Sequence, residues 1–295
     1  MTVPRLRASE RPTSWWLAAL QRRRERMQDE YLDLSQAVPW SSAEEQAAAV
    51  KFFNAAFRAE ESGLRQAHEL CDEVRSFDPA LAEVLRLYGD EEGWHRQLLS
   101  EFMPYIGGSI QPMGRVTSLF YRLYARAKRM ETIVLTNLMF ETIGSTTYRM
   151  ALANVEHQAL RQMLTILTRD EAFHVPLNVH FLKCVLARKS RLERLRLRAI
   201  HKLLFVSLLL LPLASRPKAQ AFDRIPTLEL VRGYARMLDA VFAQTPELGL
   251  HPPRLLLWAL GVRGSDLQSR DVLAASVEAA EAAADRGAVE VSALR

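Results

Sequence analysis

Two copies of one short motif stand far apart in this chain. Each has the pattern Glu-x-x-His, one from Glu92 to His95 and the other from Glu171 to His174. Residues three apart lie on one face of a helix, so each copy directs a carboxylate and an imidazole to the same side. Two such helices, together with one carboxylate from each of two further helices, form the ligand set of a di-iron or di-manganese bundle. The repeat therefore predicts a buried site for two metal ions.

The two remaining carboxylates are predicted to be Glu141 and either Glu60 or its neighbour Glu61. The intervals from Glu60 to Glu92 and from Glu141 to Glu171 are 32 and 30 residues, and each fits two antiparallel helices joined by a short loop. Four carboxylates and two neutral imidazoles would be balanced by two divalent cations, which allows burial. This ligand chemistry suits iron or manganese and does not distinguish between them.

An acidic residue precedes each motif, Glu91 in the first and Asp170 in the second. Metal-bound histidines usually donate their second N–H to a carboxylate. We therefore predict an outer layer in which Asp170 contacts His95 and Glu91 contacts His174.

The chain is predicted to be all-α, since helical spacing recurs along it and no segment shows sustained β-type alternation. The expected architecture is a ferritin-like four-helix bundle with additional N- and C-terminal helices. The predicted helices are listed here by their approximate bounds: 41–77, 79–103, 115–153, 156–186, 187–202, 227–244, 253–259 and, weakly packed, 271–286. Residues 104–114 and 217–226 are predicted to be a loop and a linker.

These elements predict four regions: an N-terminal extension (1–40), the di-metal bundle (41–186), C-terminal helices packed on the bundle (187–262), and a partly disordered tail rich in Ala and Glu (263–295). The net charge of +5 is too small to favour nucleic acid as a partner. Two cysteines 113 positions apart form no disulfide framework, which indicates a reducing, cytoplasmic location. The longest apolar stretch is too short for a transmembrane helix.

At the two motifs and at Glu141 the chain resembles the ferritin-like non-haem di-iron oxygenases and oxidases. The segments Glu91 to His95 and Asp170 to His174 are similar to the paired signatures of acyl-carrier-protein desaturases and bacterial multicomponent monooxygenases. Their order and spacing are also similar to those of p-aminobenzoate N-oxygenase-like enzymes of natural-product biosynthesis. The resemblance covers about residues 45–185 and rests on about six positions.

The resemblance implies an oxidoreductase that uses O₂ and two external electrons to hydroxylate, desaturate or N-oxygenate a small-molecule or carrier-tethered substrate. It assigns both the metal-binding and the catalytic roles to Glu60, Glu92, His95, Glu141, Glu171 and His174. The implied cofactor is two iron ions, or manganese. The chain has no flavin or nicotinamide fingerprint, so a separate ferredoxin or reductase is the expected electron donor; a homodimer is compatible with the sequence.

Two other functions stay open at this point. A ferritin-like protein of the same ligand set could store metal or scavenge oxidants without an organic substrate. A tRNA hydroxylase of the same metal class is the other alternative, although the chain has no basic groove interleaved with aromatic residues. The basic segment 188–202 could dock an acidic partner by electrostatic steering or could simply be a solvated helix face.

Overall fold

The structure, a computed structural model, describes residues 11–27, 30–114, 118–119, 127–215 and 220–262. In this part of the chain all regular structure is helical, and no strand occurs. The prediction of an all-α protein is therefore confirmed. No helix within the same residues is both long enough and apolar enough to cross a membrane.

The helices are named here in chain order. They are α1 (Thr13–Met27), α2 (Ala43–Arg75), α3 (Pro79–Tyr105), α4 (Met130–Leu152), α5 (Gln158–Ala187), α6 (Arg191–Ser215), α7 (Gln220–Asp223), α8 (Thr227–Gln244) and α9 (Arg254–Ala259), with a 3-10 turn at Pro246–Leu248. α2 packs along α3, and α4 packs along α5, so the centre of the protein is made of two helical hairpins. α1 lies against α3, while α8 packs on α4 and α6.

Local signals place the starts of the first hairpin's two helices. The Ser42 hydroxyl accepts a hydrogen bond from the Glu45 N–H at 3.1 Å and caps α2. The Asp78 carboxylate accepts one from the Leu81 N–H at 2.9 Å, and Pro79 occupies the first turn of α3. These caps set where along each helix the later motif residues lie.

The interior of the first hairpin is apolar until it reaches the predicted ligands. Phe53, Ala56 and Phe57 recur at helical spacing on α2 and are at most 4 % exposed. Glu60 continues the same stripe and is 1 % exposed. A carboxylate on the buried face of a helix is costly unless it is paired or bound to a metal, so the stripe itself marks Glu60 as unusual.

Two predicted helix starts were wrong. The third helix was expected to start at Arg115, but α4 begins at Met130, because Arg129 is in an extended conformation. Residues 115–117 and 120–126 of that prediction lie outside the described residues. The basic helix was expected from Ala187, but residues 188–190 are not helical and α6 begins at Arg191. The Ser190 hydroxyl caps this helix by accepting a hydrogen bond from the Glu193 N–H.

The expected linker at 217–226 contains the short helix α7. Its Phe222 is 3 % exposed and lies 5.3 Å from the ring of Phe52 and 5.7 Å from that of Phe53. The Pro and polar residues of this segment predicted an irregular structure. Burial of the Phe222 ring against α2 instead stabilises a helical turn there. The predicted tail, 263–295, and its helix at 271–286 lie outside the residues that the structure describes.

Candidate metal centre

The six side chains predicted as ligands converge between α2, α3, α4 and α5. Their exposed fractions range from 0 % for the two histidines to 8 % for Glu141. α2 supplies Glu60, α3 supplies Glu92 and His95, α4 supplies Glu141, and α5 supplies Glu171 and His174. Each Glu-x-x-His motif lies on a helix with both side chains turned inward, as the three-residue spacing predicts.

One half of the centre, called here the His95 half, consists of Glu60, His95 and Asp170. The Nδ1 atom of His95 lies 3.2 Å from Glu60 Oε2, and its Nε2 atom lies 3.0 Å from Asp170 Oδ2. Both ring nitrogens therefore already have a carboxylate partner. The predicted contact between Asp170 and His95 is present.

The other half, called the His174 half, consists of Glu92, Glu141, Glu171 and His174. The Nδ1 atom of His174 lies 3.2 Å from a Glu92 oxygen, 3.6 Å from a Glu141 oxygen and 3.8 Å from a Glu171 oxygen. In the described part of the chain none of these approaches has hydrogen-bond geometry at His174 Nδ1, and Glu92 Oε1 and Glu171 Oε2 likewise have no hydrogen-bond partner. Ligand atoms of Glu92, Glu141 and His174 all lie within 4.8 Å of one another.

The predicted outer contact of this half is also present. His174 Nε2 lies 2.9 Å from Glu91 Oε2. Both histidines thus face an outer carboxylate with Nε2 and the inner carboxylates with Nδ1. In this orientation Nδ1 is the nitrogen available to a cation in each half, and Nε2 is the nitrogen that fixes the ring.

The alternative between Glu60 and Glu61 is decided by their surroundings. Glu60 is buried against His95, whereas the Glu61 side chain is 40 % exposed and pairs with Arg58 at 2.7 Å and Arg96 at 3.8 Å. Glu61 therefore lies in a surface ion-pair group, and Glu60 is the carboxylate that α2 directs into the centre.

Two buried arginines bind the outer carboxylates, and the sequence reasoning missed both. Arg23 on α1 donates from Nε to Glu91 and from Nη2 to Asp170, each at 2.8 Å, and its guanidinium lies 4.1 Å from the centre of the Phe173 ring. Arg169 donates two hydrogen bonds of 2.6 Å to Asp170 and also pairs with Glu30. A signal for Arg23 was available, since it continues the buried stripe of Trp16 and Leu20 on α1.

Two tyrosines also reach the inner carboxylates. The Tyr88 hydroxyl, one turn before Glu92 on α3, donates to Glu141 Oε1 at 2.5 Å. The Tyr148 hydroxyl lies 3.4 Å from Glu60 Oε1. Tyr88 is fully buried and was not recognised from the sequence. It fixes one oxygen of Glu141 and leaves the other facing His174.

The charges of this cluster do not balance. Six buried carboxylates (Glu60, Glu91, Glu92, Glu141, Asp170 and Glu171) face two buried guanidinium groups, those of Arg23 and Arg169; Arg26 and Glu30 at the margin add one charge of each sign. The arginines match the two outer carboxylates, so the four inner carboxylates would leave four negative charges if all of them were ionised. Two divalent cations would neutralise them.

The pKa values show how the protein alone responds to that excess. Burial, followed by the negative charge of Glu141, raises the pKa of Glu92 and of Glu171 well above the ordinary value. Burial also acts to raise the pKa of Glu141, but contacts with Glu171, His174 and Tyr88 lower that pKa to about 2. Burial would lower the pKa of His95, yet Asp170 and Glu60 raise it to about 10. Protons can therefore take the place of cations among these groups, and metal binding would release them.

Gly63, one turn after Glu60, leaves room for the centre. A Cβ atom at this position would lie 2.5 Å from Glu92 Oε2 and 2.9 Å from its Cδ, which is closer than packed atoms approach. The missing side chain lets the Glu92 carboxylate occupy the space between α2 and α3. This cradle, the unpaired Glu92, Glu171 and His174 atoms, and the donor set of oxygens and imidazoles fit a divalent metal ion in the His174 half.

A small cavity of about 50 Å³ lies beside the inner carboxylates. Its floor is formed by Glu60, Glu92, Glu141 and Glu171, and the rest of its wall comes from α2 and α4. The residues that line it from these two helices are Ala59, Ser62, Gly63, Gln66, Thr136, Asn137, Phe140, Gly144 and Tyr148. The cavity gives the centre a side that is not closed by protein atoms.

These features define an all-α protein with a buried carboxylate and imidazole cluster suited to metal. No protein-family model, curated protein or solved structure matches the chain. Its function is therefore inferred from the geometry of the cluster and from the resemblance of its motifs.

Proposed function

We propose that this chain is a ferritin-like non-haem di-iron oxygenase. It would use O₂ and two electrons from a separate donor to oxidise a small-molecule or carrier-tethered substrate by hydroxylation, desaturation or N-oxygenation. The observation that carries the proposal is the arrangement of both histidines, with Nδ1 facing inner carboxylates and Nε2 held by Asp170 or Glu91. An ion-pair network that only stabilises the fold would not be expected to repeat this arrangement at both histidines.

The ferritin-like bundle is supported by how the helices pair. α2 with α3 and α4 with α5 form two hairpins, and the connection between them, from residue 106 to 129, is far longer than the short connections within them. Four-helix bundles with one long crossover are the ferritin-like arrangement, and their metal ligands project inward from all four helices.

Each group of residues would have a distinct role in this function. Glu60, Glu92, Glu141 and Glu171 would hold the metal ions by their oxygens, and His95 and His174 would hold them by Nδ1. Glu91 and Asp170 orient the imidazoles, while Arg23 and Arg169 neutralise these outer carboxylates. When bound, an iron pair supplies the electrons and coordination positions for O₂ activation.

Metal uptake tests the proposal. Purified chain, freed of metal and then loaded anaerobically with ferrous iron, is expected to retain about two irons, the number that six such ligands hold. The matched pair Glu60→Ala and Glu61→Ala separates the inner carboxylate from its exposed neighbour. We expect the first to lose iron and the second to retain it. Fewer than one iron in the wild-type chain, or equal loss in both variants, would refute the metal assignment.

Oxygen consumption tests the enzymatic part. The loaded chain, supplied with a chemical or protein reductant, is expected to consume O₂ with an organic compound as oxidised product. Loss of O₂ uptake in Glu171→Gln, with normal folding, would tie this reaction to the centre.

The small volume of the cavity favours a second candidate function. Pockets for organic ligands usually measure about 300 Å³ or more, whereas the cavity beside the inner carboxylates measures about 50 Å³. A metal-binding protein that removes oxidants without an organic substrate would need no larger space. Oxygen consumption that is unchanged by any organic compound, with full iron loading, would favour this candidate.

A further inference from the structure

The helix α6 is apolar on two opposite sides. Its inner side packs against the rest of the protein, with Leu204, Phe205 and Leu208 at most 1 % exposed. Its outer side carries a row of large apolar side chains that are between 38 % and 75 % exposed. This row is called here the α6 stripe and consists of Leu192, Leu195, Leu203, Val206, Leu210 and Leu213. Packing of the core explains the inner side only.

The α6 stripe follows one side of the helix along most of its length. From Leu203 onwards its members recur every three or four residues, the spacing that places side chains on one helix face. Folded proteins rarely expose a large continuous apolar patch unless the patch binds something. A single exposed leucine needs no such explanation, but a row along a helix of 25 residues does.

Basic side chains border the α6 stripe on both edges. Helical geometry places Arg196 along one edge and Lys202 and Arg198 along the other, and all three residues are exposed. The segment 188–202 contains seven basic residues and a single acidic one. The stripe is therefore apolar along its middle and positively charged at its borders.

The two halves of α6 differ in charge. The basic residues are confined to the N-terminal half, and the segment 203–213 has no charged residue. An anionic bilayer offers a partner for both halves, since its phosphates attract Arg and Lys and its acyl chains accept leucine. Long Lys and Arg side chains can keep their charges at the phosphates while their stems lie along apolar groups.

We propose that the α6 stripe docks on the surface of a bilayer that contains anionic phospholipids. α6 would lie along the bilayer surface, because its inner side is packed against the protein. The basic borders would contact the headgroups, and the leucines would enter the boundary between headgroups and acyl chains. The inference does not depend on the proposed metal centre.

The composition of the α6 stripe favours lipid over a protein partner. The residues that dominate binding between proteins are mostly Trp, Tyr and Arg seated in pockets, whereas the stripe consists of leucine and valine. Lysine is depleted in protein interfaces, but Lys202 borders the stripe. An acidic protein would match the charge of the basic half and leave the exposed leucines of 203–213 without an apolar partner.

Vesicle binding tests the proposal. The full chain is mixed with vesicles of phosphatidylcholine alone, or of phosphatidylcholine and phosphatidylglycerol in equal parts, and the bound fraction is measured by flotation. Wild type is expected to bind the mixed vesicles more tightly than the neutral ones and to lose this preference at about 1 M salt, which screens the charges. Metal-free and metal-loaded chain should bind alike, so a failure of the metal centre would leave this result unchanged.

Two leucines separate the α6 stripe from exposed apolar groups in general. Leu203→Gln is expected to weaken vesicle binding at least about tenfold, because a leucine side chain moved from water into an apolar medium gains that much. Leu255→Gln is the matched control, since Leu255 is 85 % exposed but lies on α9. It should leave vesicle binding unchanged. Both variants should keep the urea midpoint of wild type, because both positions are exposed.

A pair of charge variants tests the basic borders. Removing both charges in the double variant Arg196→Gln and Lys202→Gln is expected to weaken binding to the mixed vesicles about 25-fold, or about fivefold for each charge. Binding to neutral vesicles should change little. The matched control removes two exposed charges elsewhere, Arg24 on α1 and Arg65 on α2, and should bind nearly as wild type.

A fluorescent label reports directly which side of the protein meets the lipid. Val206→Cys, in the stripe, and Leu228→Cys, at an exposed position on α8, are each labelled with a polarity-sensitive dye. Cys184 is replaced by Ser in both, and Cys71 is buried. On adding mixed vesicles, the dye at position 206 should shift to shorter wavelength, and the dye at position 228 should not.

Several results would overturn the proposal. Wild type that does not bind mixed vesicles would refute it outright, as would equal losses in Leu203→Gln and Leu255→Gln. A concentration-dependent dimer that Leu203→Gln abolishes, without vesicle binding, would assign the α6 stripe to a second copy of this chain. A dye at position 206 that does not respond to vesicles would show that another surface meets the lipid.

Discussion

The His95 half and the His174 half are built from the same motif but differ in how their imidazole and carboxylate atoms are paired. In the His95 half, both imidazole nitrogens already contact carboxylates, at 3.2 and 3.0 Å. In the His174 half, Nδ1 faces three carboxylates, and the described residues provide it with no hydrogen bond. The difference arises because α2 brings one carboxylate to His95, whereas α3, α4 and α5 each bring one to His174.

This difference predicts an order of metal binding. A cation entering the His174 half meets Glu92 Oε1, Glu171 Oε2 and His174 Nδ1, which have no hydrogen bond to lose within the described residues. A cation entering the His95 half must displace the contact between His95 and Glu60. We therefore expect the His174 half to bind the first and tighter ion, and the His95 half to bind the second.

The largest expected effect comes from removing either histidine. His174→Ala should weaken the first step of a cobalt titration by more than about 100-fold, since loss of even an outer partner of a ligand costs about 10–100-fold. His95→Ala should leave the first step and remove the second. His68→Ala, at an exposed histidine on α2, is the control and should change neither. Equal loss of both steps in His95→Ala would show that the halves do not bind independently.

Arg23 offers a sharper distinction between the halves. Asp170 keeps Arg169 as a partner when Arg23 is lost, whereas Arg23 is the cation that the described residues provide for Glu91. Arg23→Gln is therefore expected to weaken the first cobalt step, in the His174 half, by about 10–100-fold and to affect the second step less. Breaking a buried ion pair should also lower the free energy of unfolding by about 3–5 kcal/mol, measured by urea denaturation.

The control for this variant is Arg24→Gln, since the neighbouring arginine is exposed and should be neutral. Arg23→Lys restores the charge without the fork of two donors and should recover part of the stability. A larger loss in the second step than in the first would contradict the pairing described here.

A smaller effect is expected from filling the space beside Glu92. In Gly63→Ala the new methyl group would collide with the Glu92 carboxylate, which lies 2.5 Å from the Cβ position. We expect the first cobalt step to weaken about tenfold, equivalent to about 1.4 kcal/mol. Gly93→Ala is the matched control, because its Cβ would meet Leu64 only at ordinary contact distance, 3.7 Å. Unchanged cobalt affinity in Gly63→Ala would show that Glu92 does not need this position.

The smallest effect concerns pH in the metal-free protein. Asp170 and Glu60 raise the pKa of His95 to about 10, from an ordinary value of about 6.5. A raised pKa means that this contribution to stability is complete below about pH 6.5 and is lost as the pH rises through about 10. The urea midpoint of wild type should therefore fall between pH 7 and 10, and that of His95→Gln should fall less.

A second histidine provides the control for the pH series. Burial lowers the pKa of His201 to about 4, so this residue is neutral throughout the alkaline range. His201→Phe should keep the same alkaline decline as wild type. An alkaline decline as steep in His95→Gln as in wild type would assign the effect to other groups.

The sequence predicted which carboxylates and imidazoles point inward, because helical geometry converts a three-residue spacing into a shared face. It also predicted the contacts of Asp170 with His95 and of Glu91 with His174. Each acid directly precedes its own motif and can therefore reach the histidine of the other hairpin. The choice between Glu60 and Glu61 needed the structure, because adjacent positions differ by one step around the helix and only packing shows which one is buried.

The burial of Arg23 could be read from spacing, but its partners and several other features could not. Arg23 lies 68 residues from Glu91 and 147 from Asp170, and no local pattern encodes that meeting. The start of α4 at Met130 was missed because residues after 115 carry no strong helix-breaking signal. Phe222 orders α7 through contacts with rings about 170 positions earlier in the chain.

The most direct test of the two-metal centre is a crystal structure of the iron-loaded protein with anomalous diffraction recorded at the iron edge. We expect two peaks about 3.5–4 Å apart between α2, α3, α4 and α5, one next to the Nδ1 atom of each histidine. A single peak, or iron outside these four helices with both imidazoles still bound only to carboxylates, would contradict it.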